Sequence, residues 1–184
     1  MNVAALTEAA AHLGNAGVIL HATEGVWGLA CDPFSHAAVA RLLALKQRPE
    51  TKGLIVIGAD DTDFAEELAP LPQAQQRMVR ATWPGAVTWL VPNVRFARWI
   101  TGGSGKVAVR VPGHVQARAL CEVFGGPLVS TSANPAGKPP ALTEAQARAY
   151  FPAGVDYLLP GEVLQPGQPS SIRELSGEWL RGAG

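Results

Sequence analysis

Cysteine is scarce in this sequence. Cys31 and Cys121 form no CxxC pair and no metal-binding spacing, so a disulfide scaffold and a zinc module are both excluded, and a reduced cytoplasmic protein is expected. Long apolar runs are missing, which excludes a membrane-spanning helix. The opening "MNVAALTEAAAHLGNAG" lacks a basic segment and carries Glu8, so it does not read as a secretory signal. Net charge is also missing: 15 basic residues balance 15 acidic ones. A neutral chain suits a small anionic ligand better than a broad nucleic-acid surface.

Several catalytic motifs are absent as well. "GGSGK" (102–106) ends like a P-loop, but Ile100 stands where the first glycine belongs and Val107 where the magnesium-binding hydroxyl belongs. No GxGxxG follows the first strand, and there is no GxSxG, HExxH or Cys/His cluster. His12, His21, His36 and His114 are scattered and read as surface or capping residues.

What is present is an apolar fraction of 47% with 16% charged residues over 184 positions, enough for one globular domain with a sizeable core. The predicted elements interleave. Helical patterns cover 5–14, 36–48 (with Ser35 as N-cap and Pro49 as stop), 61–68, 72–81, 115–124 and 143–150, the last opened by a Thr143/Gln146 capping box. Strands are expected at 18–21, 53–58, 86–91, 106–111 and 127–131, with short ones in "DYLL", "SIREL" and "EWLR". Residues 22–34 read as a Gly-rich loop, Cys121 as core, and the acids at 60–67 as a solvated helix face. This points to an α/β fold, a single domain over 1–184, with a twisted sheet of mixed parallel and antiparallel strands flanked by helices.

The polar residues gather near strand ends, where open α/β sheets bind ligands. "KVAVRV" (106–111) alternates, so Lys106 and Arg110 share one face and the valines the other. In "LVSTSANPAGKPP", Ser130 and Ser132 share a face. Lys46, Arg48 and Lys52 flank a helix end. Each has a plain structural explanation: helix-dipole caps for Lys46 and Arg48, a solvent-pointing Arg110, turn-forming serines and a Thr23 hydroxyl bonded to its own loop. Together, cations with hydroxyls and no evident nucleophile fit an enzyme that positions charged substrates and neutralises phosphate.

The ordered set "ATEGVWGL", "LKQRPETKGLIVI", "TWPGAVTWLVP", "VAVRVPGH", "PLVSTSANPAGKPP" and "PSSIRELSGEWLRGAG" resembles the YrdC-like domain family over about residues 5–183, in particular its short bacterial members. The resemblance implies a basic concave cavity in which L-threonine, bicarbonate (or CO2) and ATP form threonylcarbamoyl-adenylate and diphosphate. The ATP would be accompanied by Mg2+, with no protein ligand evident. The product would serve tRNA-threonylcarbamoyl transferase proteins that modify the adenosine 3′ of the anticodon in tRNAs reading codons that begin with A. By the same resemblance, Lys46 and Arg48 form the K-x-R pair, catalytic and ATP-binding, joined on the nucleotide by Lys52, Ser132, Asn134 and Arg181. Thr23, Arg110, Ser130 and Ser170 fall at the threonine pocket. The chain departs from the family pattern at Ala22, at Gly25 (where many members carry a substrate-touching Thr), at Lys52-Gly53 and at Ile57, and its length implies no extra C-terminal domain.

Two other readings stand beside this one. One is an RNA-binding module, with double-stranded RNA or tRNA contacted weakly by the basic residues of 41–52 and by Arg95, Arg98, Lys106, Arg110 and Arg118; zero net charge and the missing RNP-type aromatics count against it. The other is a carbamoyl-phosphate-linked domain of hydrogenase maturation, opposed by the short chain.

Overall fold

Every second residue of a strand faces the same side of its sheet, and in this chain that alternation separates a core from a cavity. The computed structural model describes residues 2–168 and 170–182; the ends of the closing motif, at Pro169 and 183–184, lie outside them. Helix α1 (Val3–Gly14) is followed by strands β1 (Ile19–Ala22) and β2 (Trp27–Cys31), then α2 (His36–Lys46) and β3 (Ile55–Ile57). Short helices α3 (Ala65–Leu68) and α4 (Gln73–Arg80) lead to β4 (Val87–Pro92), α5 (Arg98–Thr101), β5 (Lys106–Arg110) and α6 (Val115–Phe124). The chain continues through β6 (Leu128–Ser132), α7 (Glu144–Tyr150), β7 (Tyr157–Leu158), β8 (Ser171–Glu174) and β9 (Trp179–Arg181).

The strands form a sheet in the order β7-β1-β2-β6-β3-β5-β4-β8-β9. It is mixed: β3 pairs with β5 and β4 with β8 in parallel, while β6 runs antiparallel to both β2 and β3. One face packs on α2 and the small helices through Trp27, Leu29, Val56, Trp89, Val109 and Val129. On the other face, Ile19, Ala30, Ile57 and Leu128 pack under α1 and α6, against Leu6, Leu13, Leu120 and Cys121. Continuing along those strands on the same face, the residues turn polar or small: His21 after Ile19, Ser130 and Ser132 after Leu128. The helices cover one end of this face and leave the other open.

Three expectations need correction. Residues 27–31 are a strand, not loop; Gly28 and Ala30 conceal its alternation, and pairing with β1 and β6 on either side imposes it. Helix α2 ends at Lys46, because Gln47 adopts a left-handed conformation with φ 51°. The acids at 60–67 are not all solvated. Asp60 caps a 3-10 turn (Asp61–Phe64), the others fall on that turn and on α3, and Glu67 is fully buried, paired with Arg95 at 3.2 Å. The Thr143/Gln146 capping box and the Ser35 cap form as expected.

Candidate active site

The open part of the sheet face forms the floor of a cavity of about 590 Å³. Its wall carries Arg48, Lys52, Lys106, Arg110 and Arg181 against a single carboxylate among the described residues, Glu24. Thr23, Ser130, Ser132 and Ser170 also line it. Eight of the ten residues expected from the sequence therefore meet in one place. Lys46 and Asn134 do not reach the lining; they stand behind it.

The left-handed turn at Gln47 separates the two cations of the K-x-R segment. Lys46 points inward, 4% exposed, and its Nζ donates to the carbonyls of Ser132 and, at 3.0 Å, Asn134. It thus ties the end of α2 to the end of β6. Burial and the neighbouring Arg48 lower its pKa to about 8. Arg48 turns to the cavity, where its guanidinium donates to the carbonyls of Gly53 at 3.0 Å and Lys52 at 3.2 Å. Asn134 donates to Lys138 O at 2.7 Å, closing the loop after β6.

Arg110 lies on β5, buried, and does not point to water: its Nη1 donates to Glu24 Oε1 at 3.0 Å. Glu24 Oε1 also accepts the Gly113 N–H at 2.7 Å. Arg110 Nε and Glu24 Oε2 are buried and have no hydrogen-bond partner among the described residues. Among the described residues only Nη1 of the Arg110 guanidinium is hydrogen-bonded, so the pair keeps donors and an acceptor unengaged. Burial lowers the pKa of Arg110, opposed by Glu24. Burial also lowers that of Arg181, and the charges of Arg110 and Arg48 lower it further. Three guanidiniums that repel one another in this way favour an anion among them.

Arg181 donates to Ser170 O at 2.8 Å and to Ser170 Oγ at 3.2 Å. Thr23 Oγ1 donates to Val26 O at 2.6 Å, so the bond to its own loop is real, and the residue still lines the cavity. The segment before Ser170 lies across the Thr23–Val26 loop: Gln165 N–H donates to Glu24 O and Gly167 N–H to Gly25 O. A Cβ on Gly25 would stand 1.8 Å from the Gln168 carbonyl oxygen. The Gly at 25 is thus required by that close approach.

A family model described as "Telomere recombination" (Sua5/YciO/YrdC) matches residues 11–182. The chain belongs to the Sua5/YciO/YrdC family. It is 50% identical to a threonylcarbamoyl-AMP synthase of Halorhodospira halophila, over 94% of this chain and 92% of that protein. It is 49% identical to one of Cellvibrio japonicus, over 90% and 88%. The structure of P. abyssi Sua5 complexed with L-threonine superposes with a TM-score of 0.87 at 28% identity. That match covers 95% of this chain, which spans about half (52%) of the longer protein.

Within this family member, two residues at the site escaped the sequence reading. Glu24 partners Arg110 from 86 positions away; its only signal was its place in the loop beside Thr23. His21 is fully buried and is neither a surface residue nor a cap, whereas His114 does cap α6. Of the basic residues that suggested RNA binding, Arg95 pairs with Glu67, Arg118 donates to Pro112 O and Gly113 O, and Lys106 bridges to Glu174 at 2.9 Å. Among the described residues, no helix is long and apolar enough to cross a membrane.

Proposed function

We propose that this chain is a threonylcarbamoyl-AMP synthase acting in the cytoplasm. The observation that carries the reading is that one cavity gathers five cations with a buried Arg–Glu pair and four serines. Relatives bearing that name match nine tenths of the chain at 49–50% identity, which supports it. The cavity also has the size of an ordinary small-molecule site.

In this mechanism, the threonine amine adds to CO2 derived from bicarbonate and loses a proton, forming an N–C bond and a carbamate. A carbamate oxygen then attacks the α-phosphorus of ATP, and the bond to diphosphate breaks. Such a transfer asks the protein for positioning and charge neutralisation. Arg48, Lys52 and Arg181 face the phosphates. Ser132, held by Lys46 through its carbonyl, and the Asn134 loop fix the nucleotide side. Arg110, which lines the cavity and keeps unengaged guanidinium donors, takes the threonine carboxylate, with Thr23, Ser130 and Ser170 around the amino acid. Glu24 is a lone carboxylate among the described cavity residues, and magnesium would enter on the nucleotide as part of that substrate. The product then passes to tRNA-threonylcarbamoyl transferase proteins.

The test is incubation of the purified chain with ATP, L-threonine, bicarbonate and magnesium. Diphosphate and threonylcarbamoyl-adenylate are the expected products; absence of both overturns the reading.

A further inference from the structure

His21 plays no part in the mechanism above, yet it is fully buried beside the site. It lies on β1, and Ser130 lies two strands away on β6, with β2 between them. The registers set His21 opposite Gly28, and Gly28 opposite Ser132. A Cβ on Gly28 would stand 3.1 Å from His21 Nε2. Glycine leaves the imidazole room to lie across β2, and Nε2 comes within 3.1 Å of Ser130 Oγ. Ser130 lines the cavity and His21 does not.

The direction of this hydrogen bond decides what Ser130 offers a ligand. Burial, reinforced by His114 and Arg110, lowers the His21 pKa to about 3, so the ring is neutral near pH 7 and carries one proton. The Ala22 backbone opposes this lowering, but Nδ1 makes no hydrogen bond of acceptable geometry among the described residues. A buried acceptor without a partner is better tolerated than a buried N–H without one. The proton therefore belongs on Nε2, which donates to Ser130 Oγ. The Ser130 O–H is left to donate into a cavity whose cations already select anions.

We propose that His21 is a positioning residue that holds the Ser130 hydroxyl as a donor to the carboxylate of the amino-acid substrate. The identity of that substrate rests on the threonine-activating reading; the hydrogen-bond relay does not.

A double-substitution cycle on the full chain tests the relay, with threonine KM, kcat and calorimetric threonine Kd as readouts. Ser130→Ala and His21→Phe are each expected to raise threonine KM about tenfold, with kcat changed far less. The double variant is expected to show about the same tenfold, because His21 acts only through Ser130. His21→Gln, whose amide reaches the place of Nε2–H, is expected to restore KM towards wild type. His21→Asn, which ends short of it, is not.

Additive effects in the double variant, or equal behaviour of the Gln and Asn variants, would overturn the proposal. If His21→Phe does not fold, nitrogen NMR on histidine-labelled wild type decides. It should show His21 as the neutral Nε2–H tautomer from about pH 5 to about pH 8, and either the Nδ1–H tautomer or the imidazolium would overturn it. Wild type that binds threonine without making adenylate overturns the functional reading alone, and the cycle is still read through Kd. Wild type that binds no threonine overturns both.

Discussion

Arg110 and Glu24 face each other at 3.0 Å inside the cavity, with side chains 7% and 15% exposed. An ion pair this buried is costly to break from one side, because the remaining charge is left in low dielectric. It also means that Arg110, proposed to take the threonine carboxylate, is already partly neutralised, so removing either partner alters both stability and affinity. Arg110→Ala should weaken threonine binding by roughly 1.5–3 kcal/mol and lower the melting temperature. Glu24→Gln preserves shape but frees the full charge of Arg110, and should tighten carboxylate binding several-fold. Calorimetric titration with threonine checks both, and unchanged affinity in Arg110→Ala would contradict the assignment.

Lys46 lends itself to a pH experiment. The unfolded chain keeps this proton up to about 10.5 and the folded chain up to about 8. Between those values the unfolded state binds more protons, so stability rises with pH across the window and this contribution is flat below it. Relative to Lys46→Met, wild type should gain on the order of 3 kcal/mol between about pH 7 and about pH 10.5. Denaturant titrations of both proteins measure the difference, in which other titrating groups cancel. Because Lys46 acts on Ser132 and Asn134 through their carbonyls, Lys46→Ala should also raise the KM for ATP, and leave that for threonine nearer wild type.

Much of this site was legible because its chemistry repeats at strand ends. Alternation in 106–111 placed Arg110 opposite the valines, and period two in 128–132 placed Ser130 and Ser132 together. Pairings between distant segments were not legible. Glu24 meets Arg110, Glu67 meets Arg95, and His21 meets Ser130 across the sheet, and no local pattern announces such partners. β2 was missed for a related reason. Its small residues give a weak strand signal, and what holds it in place is hydrogen bonding from both neighbours. The turn at Gln47 was invisible too. It ends α2 between Lys46 and Arg48, so helical periodicity, which already sets residues i and i+2 on different faces, does not say where Arg48 points.

Gly25 makes a sharp steric prediction. Its missing side chain is where the Gln168 carbonyl oxygen lies. Gly25→Ala must push the 165–168 segment away, and that segment leads to the cavity residues Gln168 and Ser170. The variant should lose roughly 1–3 kcal/mol of stability, and threonine KM should rise more than ATP KM. Limited proteolysis should cut faster within 161–168. Wild-type kinetics and proteolysis in Gly25→Ala would show that the close approach does not hold the segment.

The Glu67–Arg95 pair gives the opposite kind of expectation, a large effect on stability with none on chemistry. Glu67 has no exposed side-chain surface, and Arg95 Nε reaches both its oxygens at 3.2 and 3.3 Å. Arg95 also donates to the Asp63 carbonyl and lies over the rings of Phe34 and Phe96. Arg95→Met keeps the aromatic packing but strands a buried carboxylate, and should cost about 3–5 kcal/mol. Adding Glu67→Leu removes the stranded charge, and should recover most of that loss. Neither residue lines the cavity, so at a temperature where each variant is folded, kcat and both KM values should match wild type. A double variant as unstable as Arg95→Met alone would locate the energy in the cation–π contacts and the Asp63 bond rather than in the ion pair.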